Sequence, residues 1–152
     1  MQWVQKRALP IPALTIADPA LVVAYRFWCD KRDGDFLPPR CQVDTPSFRL
    51  LVPDGLWLAP GAYAGRLAPF LAATQVHAST MTLEESLRLD LEGAFVTGVP
   101  SFQLVEIKVK GRSLLYQQLL LPTADDGHRV TELLEVSKLG ALRLIHSGAR
   151  AG

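Results

Sequence analysis

The period of the hydrophobic pattern changes along the chain, and each change marks an element. After Asp18-Pro19 the residues Leu21, Val22, Tyr25, Trp28 and Cys29 recur at helical spacing, with Arg26, Asp30 and Lys31 mostly elsewhere. Asp18 can accept the free amides of a first turn, and Pro19 at the first helical position sacrifices no hydrogen bond. The pattern predicts an amphipathic, strongly aromatic helix over Pro19 to Arg32, stopped by Asp33-Gly34, with Cys29 on its apolar side. A proline-marked connector, Asp35 to Val43, follows. Asp44-Thr45-Pro46 then repeats the cap-then-proline signal and opens a short helix through Leu51, closed before Pro53. Leu56 to Ala59 reads as a short strand and Tyr63 to Ala72 as an interrupted one.

In the second half, Thr82 with Glu85 three residues on forms a capping box. It opens a helix whose apolar face is Leu83, Leu87, Leu91, Ala94 and Phe95, ended by Gly98 and Pro100. Val105, Ile107 and Val109 alternate with Glu106, Lys108 and Lys110, the mark of a strand with one wet face. Gly111-Arg112 suits a two-residue hairpin turn, after which Ser113 to Leu121 returns as a mostly apolar strand stopped by Pro122. Asp125-Asp126-Gly127 is a loop, and Val130 to Val136 is a final strand. This order describes an α+β domain whose antiparallel sheet has helices packed on one face, after an N-terminal helical segment. The expected division is an N-terminal segment over 1–17, one domain over 18–139 and a tail over 140–152.

Composition narrows the class. Of the 152 residues, 49% are hydrophobic, enough for a core. Lys plus Arg number 16 against 15 Asp plus Glu, so the formal charge of +1 offers no basic footprint for nucleic acid. No apolar run approaches the roughly 20 residues of a membrane span, and the N-terminus lacks a secretory apolar core. Cys29 and Cys41 are expected to be reduced thiols, and the protein to be cytoplasmic.

Several spaced segments resemble the opening of a PAS-like domain family found chiefly in alphaproteobacteria. They are Tyr25-Arg26-Phe27-Trp28, Arg32-Asp33-Gly34, Leu37-Pro38-Pro39-Arg40 and Val43-Asp44-Thr45-Pro46. Leu119-Leu120-Leu121-Pro122 with Asp125-Asp126-Gly127 matches near the end. Thr45 departs from the family's direct Asp-Pro junction, and Tyr63 to Leu67 matches its second strand only loosely. The resemblance implies a regulatory domain with a sheet of about five strands curved around a small pocket, sensing a ligand or docking a partner in bacterial signalling. It also implies pairing into a homodimer through the first helix.

Specific chemistry is sparse. His77, His128 and His146 are isolated from one another and from the cysteines, so no zinc spacing is present. His77 is the one histidine weighed as a haem ligand, against a surface role. No cofactor is expected, and no nucleophile sits in a recognisable motif. Arg40 is expected to bond a carboxylate or helix-end carbonyls and so pin the connector. Pocket candidates are Leu58, Phe95, Val105, Leu115, Tyr116 and Gln117, with one of Gln117 and Gln118 facing inward.

Three functions therefore stand open. The first is a stand-alone sensory module for an unknown small ligand, reporting through a homodimer or an unknown regulatory protein. The second is a dimerisation domain with a filled core and no ligand. The third is a small cone-shaped α+β enzyme, for which Glu106, Glu132 and Glu135 are the available strand carboxylates, Glu106 being placed on the wet face by alternation. The expected reading is not an enzyme, with neither nucleic acid nor membrane as partner.

Overall fold

In the computed structural model, which describes residues 3–61, 77–78, 81–109 and 112–141, the first helix starts where its cap directs. The Asp18 carboxylate accepts the Ala20 amide at 2.9 Å, and Pro19 opens α1 (Pro19–Lys31). A four-residue turn of helix, α2 (Arg40–Val43), interrupts the connector, and α3 (Pro46–Leu51) follows. Thr45, not Asp44, caps α3, its hydroxyl accepting the Phe48 amide at 3.2 Å. That leaves Asp44 for ion pairs with Arg40 at 3.5 Å and Arg49 at 3.3 Å.

A five-stranded antiparallel sheet runs in the order β1 (Trp3–Leu9), β5 (Ser101–Val109), β6 (Arg112–Thr123), β7 (Glu132–Ala141), β2 (Leu56–Leu58). Two-residue strands β3 (His77–Ala78) and β4 (Met81–Thr82) pair separately, ahead of α4 (Leu83–Thr97). The α+β class is thus observed, with differences in detail. Residues 3–9, which the sequence assigns to a leading segment, form an edge strand paired along its length with β5. Val109 pairs with Arg112, so Arg112 belongs to β6 and not to the expected turn, whose other member, Gly111, lies outside the described residues. Pro122 does not stop β6, which continues to Thr123. Pairing with β5 ends at Leu120, so at Pro122 the strand has a neighbour only on the β7 side, where a missing N–H is tolerated. The expected strand Tyr63 to Ala72 lies outside the described residues.

Helices cover both faces of the sheet, which corrects the expectation of cover on one. Side chains alternate along β6. Leu119 and Leu121 join Leu134 and Val136 of β7 in a core with Leu21, Ala24 and Trp28 of α1 and Phe48 of α3. Leu120, with Leu133 and Leu58, packs instead on Leu91 and Ala94 of α4. The apolar stripe predicted for the helix opened by Thr82 explains this placement: Leu87, Leu91 and Ala94 are buried and must find a surface, and the α1 face is already filled. The side chain of Leu83 lies outside the described residues.

The residues of the sequence resemblance hold the α1 layer to the sheet. Trp28 is fully buried, and its indole Nε1–H donates to the Pro122 carbonyl at 2.7 Å, beyond the point where β5 has ended. The Leu37 amide donates to the Gly127 carbonyl at 2.8 Å, and the Ala124 amide to the Pro38 carbonyl at 3.1 Å. The Arg40 guanidinium reaches Glu132 at 2.7 Å and lies over the Trp57 ring, 4.8 Å from its centre. At the loop, the Asp126 carboxylate accepts the amides of His128 and Arg129 at 2.9 and 2.8 Å. Those bonds, the Arg129 amide first, hold its carboxyl below the ordinary range. Gly127 sits at φ +83° with the Phe36 ring against it.

Cys29 and Cys41 are both exposed free thiols, which corrects the placement of Cys29 on the apolar side. The buried stripe of α1 is Leu21, Ala24 and Trp28, and Cys29 lies one residue, about 100°, further round the helix.

Candidate functional site

The chemistry of the chain gathers on the α4 face of the sheet. Register places its side chains in transverse rows. Ala8, Gln103, Gln118 and Ser137 are successive cross-strand neighbours on β1, β5, β6 and β7. One row away lie Lys6, Val105 and Tyr116, and on the other side Ser101, Leu120, Glu135 and Leu56. The middle row is polar and buried: Gln103, Gln118 and Ser137 are 4%, 0% and 2% exposed. Glu135 is fully buried as well.

Part of this polarity is internally satisfied. The Tyr116 phenol donates to Glu135 Oε2 at 3.1 Å, and Gln118 Nε2 donates to the same oxygen at 2.5 Å. Burial, and then the charge of Glu135, push the Tyr116 phenol well above its ordinary range, so it stays a donor. The donation by Nε2 fixes the orientation of the Gln118 amide, because its carbonyl could not face a carboxylate. Among the described residues, three buried atoms nevertheless lack a well-formed hydrogen bond: Gln103 Oε1, Gln118 Oε1 and Ser137 Oγ, the last beside the Tyr116 phenol. All three belong to the middle row. A buried polar group left unpaired costs about 1–3 kcal/mol, so such a row is expensive unless something completes it.

At the β1 end, Lys6 Nζ donates to the Ser86 carbonyl at 3.3 Å, bonds its hydroxyl, and pairs with Asp90 at 2.6 Å. The N-terminal strand is thereby tied to α4. Beside that tie a groove of about 430 Å³ opens between the end of α4 and the start of β5, lined by Leu89, Asp90, Ala94, Thr97, Val99 and Gln103 among others. Gln103 belongs to both the groove and the buried row.

Four expected pocket residues, Leu58, Phe95, Val105 and Tyr116, fall on this side: Val105 and Tyr116 share a row, and Leu58 and Phe95 join the α4 cluster. Leu115 and Gln117 do not, and this is a correction. Each neighbours Tyr116 in sequence, and alternation turns both to the opposite face. Gln117 there accepts the Asp18 amide at 3.0 Å through its Oε1. Gln118 is the inward member of the pair. Glu135 was named only as one available strand carboxylate, and its register opposite Leu120 brings it inside. Gln103 and Ser137 were missed: Gln103 precedes the alternating stretch while sharing the face of Val105, and Ser137 lies one residue beyond the expected end of the last strand.

Among the described residues, no group of three or more His, Cys, Asp or Glu side chains could hold a metal ion. His77 heads β3, its side chain and His146 lie outside the described residues, and His128 packs on Phe36 with ring centres 4.8 Å apart. No described helix is long and apolar enough to cross a membrane. Comparison with protein-family models, with curated proteins and with solved structures finds no match to this chain.

Proposed function

We propose that the protein is a PAS-like regulatory module that binds a small ligand between its sheet and α4 and passes the binding state to a partner. The observation that carries this reading is the buried polar row in which Gln103 Oε1, Gln118 Oε1 and Ser137 Oγ lack well-formed hydrogen bonds, next to the apolar cluster of Leu91, Leu120 and Leu133. Folding alone gains nothing from leaving them there, whereas a ligand that pairs with them recovers the cost on binding. The antiparallel sheet and the spaced motif residues that clasp α1 to it agree with the family resemblance. Glu135 is occupied as an acceptor for two neighbours, which suits a positioning role better than that of a catalytic base.

A second reading, an interaction or dimerisation domain with no ligand, draws on the apolar residues at the end of α4. Leu89, Val96 and Val99 are 49%, 85% and 58% exposed, a cluster suited to a protein partner or a second copy. In the sensory reading the same surface carries the output, since α4 lies between it and the polar row.

Native mass spectrometry of the full chain purified from cells, beside the same sample denatured, separates the two. A non-covalent mass lost on denaturation is the expected result. A bare monomer or dimer overturns ligand sensing and leaves the interaction domain.

A further inference from the structure

We infer that the buried row takes a ligand rich in N–H or O–H donors and without negative charge, such as an amidine, guanidine, amine or primary amide, admitted past Gln103. This inference rests on the ligand-binding reading above and adds the chemical class of the ligand.

The argument begins with what the row still offers. Gln118 has spent an amide N–H on Glu135, so its unpartnered oxygen can only accept. Gln103 presents a second unpartnered carbonyl oxygen beside it on the neighbouring strand, and Ser137 a hydroxyl that can accept or donate on the other. Adjacent strands lie about 4.8 Å apart, so three groups on three strands span a row of roughly 10 Å. That is the reach of a small molecule carrying donors at both ends. An anion brought there would meet two carbonyl oxygens and, one row on, a buried carboxylate, with a single hydroxyl able to donate.

The route to the row suits a small, partly apolar body. The groove that shares Gln103 also carries Asp90, whose carboxylate is already paired with Lys6, and its walls combine apolar Leu89, Ala94 and Val99 with Thr97 and Ser101. A flat cation or a neutral amide with an apolar body matches both, the body lying on the apolar wall and the donors facing the oxygens.

The test uses the full chain and three probes of one shape: benzamidine, with donors and positive charge; benzamide, neutral with donors and one acceptor; and benzoate, an anion with acceptors only. Saturation-transfer NMR is recorded on the wild type and on the single variants Gln103→Leu and Ser137→Ala. Gln103→Leu removes a buried oxygen with no partner in the fold, and Ser137→Ala removes only a small hydroxyl beside the Tyr116 phenol, so a folded protein is expected from each. The expected result is binding in the order benzamidine, benzamide, benzoate, with the benzamidine affinity at least threefold weaker in each variant. If benzoate binds best and weakens in the variants, the donor class is overturned while a ligand site at this row stands. If the probes bind wild type and both variants alike, the row is not the site and the ligand-binding reading falls with it. If benzamidine does not bind at all, the donor assignment is overturned, and the retained-mass measurement decides the reading by itself.

Discussion

Tyr116 and Glu135 meet across two rows of the sheet. Glu135 pairs with Leu120, four residues along β6 from Tyr116, yet phenol and carboxylate lie 3.1 Å apart. Both side chains lean along their strands toward each other, and Gln118, in the row between, donates to the same oxygen. The contact therefore bridges the row that contains the unpartnered atoms and fixes one of its members. A substitution at either end changes what Gln118 can offer.

The phenol gives a pH dependence with a definite sign. Burial and the Glu135 charge raise the Tyr116 pKa in the folded chain above its unfolded value. Its contribution to stability is fully present below the unfolded value of about 10 and is lost as pH rises beyond it, because the unfolded chain releases a proton that the folded chain keeps. The drop in urea midpoint between about pH 8 and about pH 11 should be smaller in Tyr116→Phe than in the wild type. An equal drop in both would remove Tyr116 as its source.

Gln103→Leu should stabilise the isolated protein. The change replaces a buried carbonyl oxygen that has no partner with an apolar group of similar size. A gain of about 1 kcal/mol in urea unfolding is expected, together with weaker ligand retention. Loss of stability would mean that the amide is already satisfied in the free protein.

Trp28 anchors the α1 layer through packing and one hydrogen bond. Trp28→Ala should cost about 3–5 kcal/mol. Trp28→Phe keeps an aromatic ring but orphans the Pro122 carbonyl, so about 1–3 kcal/mol of additional loss over the volume effect is expected. Denaturant unfolding of the two variants separates packing from hydrogen bonding.

Arg40 offers a weaker contribution. Its side chain is 41% exposed, so the pair with Glu132 is screened by solvent, and a double-mutant cycle with Arg40→Ala and Glu132→Ala should return about 0.2–1 kcal/mol. The coupling should shrink as salt rises. Removing Arg40 alone should cost more than the cycle term, because its contact with the Trp57 ring is lost as well.

Gly127→Ala tests the loop. At φ +83° a side chain strains the backbone, and its Cβ would stand 3.0 Å from a carbon of the Phe36 ring. A loss of about 1–3 kcal/mol is expected in thermal or urea unfolding.

How much of this was legible before folding depended on whether the signal was local. The α1 start needed only Asp18 and Pro19, and the sequence places it correctly. The hairpin of β5 and β6 needed only alternation and a turn. The polar row needed three strands and a helix at once. A glutamine pair flags an inward polar residue, but which of Gln117 and Gln118 points inward is set by register, and Glu135 within Leu133-Leu134-Glu135-Val136 looks like a wet position until α4 covers it. Strand β1 was hidden for a similar reason: Lys6 occupies a covered position, and only Ser86 and Asp90, far away in sequence, make a lysine acceptable there.

That strand also sets an order on how the chain can assemble. Val4 pairs with Ile107, roughly 100 residues later, so this strand leaves the ribosome well before the partner that it needs to join the sheet. Until β5 has formed against β6, residues 3–9 have no edge to join and must stay unpaired in the growing chain. The closure is long, and its entropic cost rises only slowly with length, so the delay is chiefly one of waiting for the partner to be made. Synthesis and assembly thus run in opposite directions at this edge, whereas both ends of the lysine tether, Lys6 and the Ser86 and Asp90 pair, are made before β5 begins.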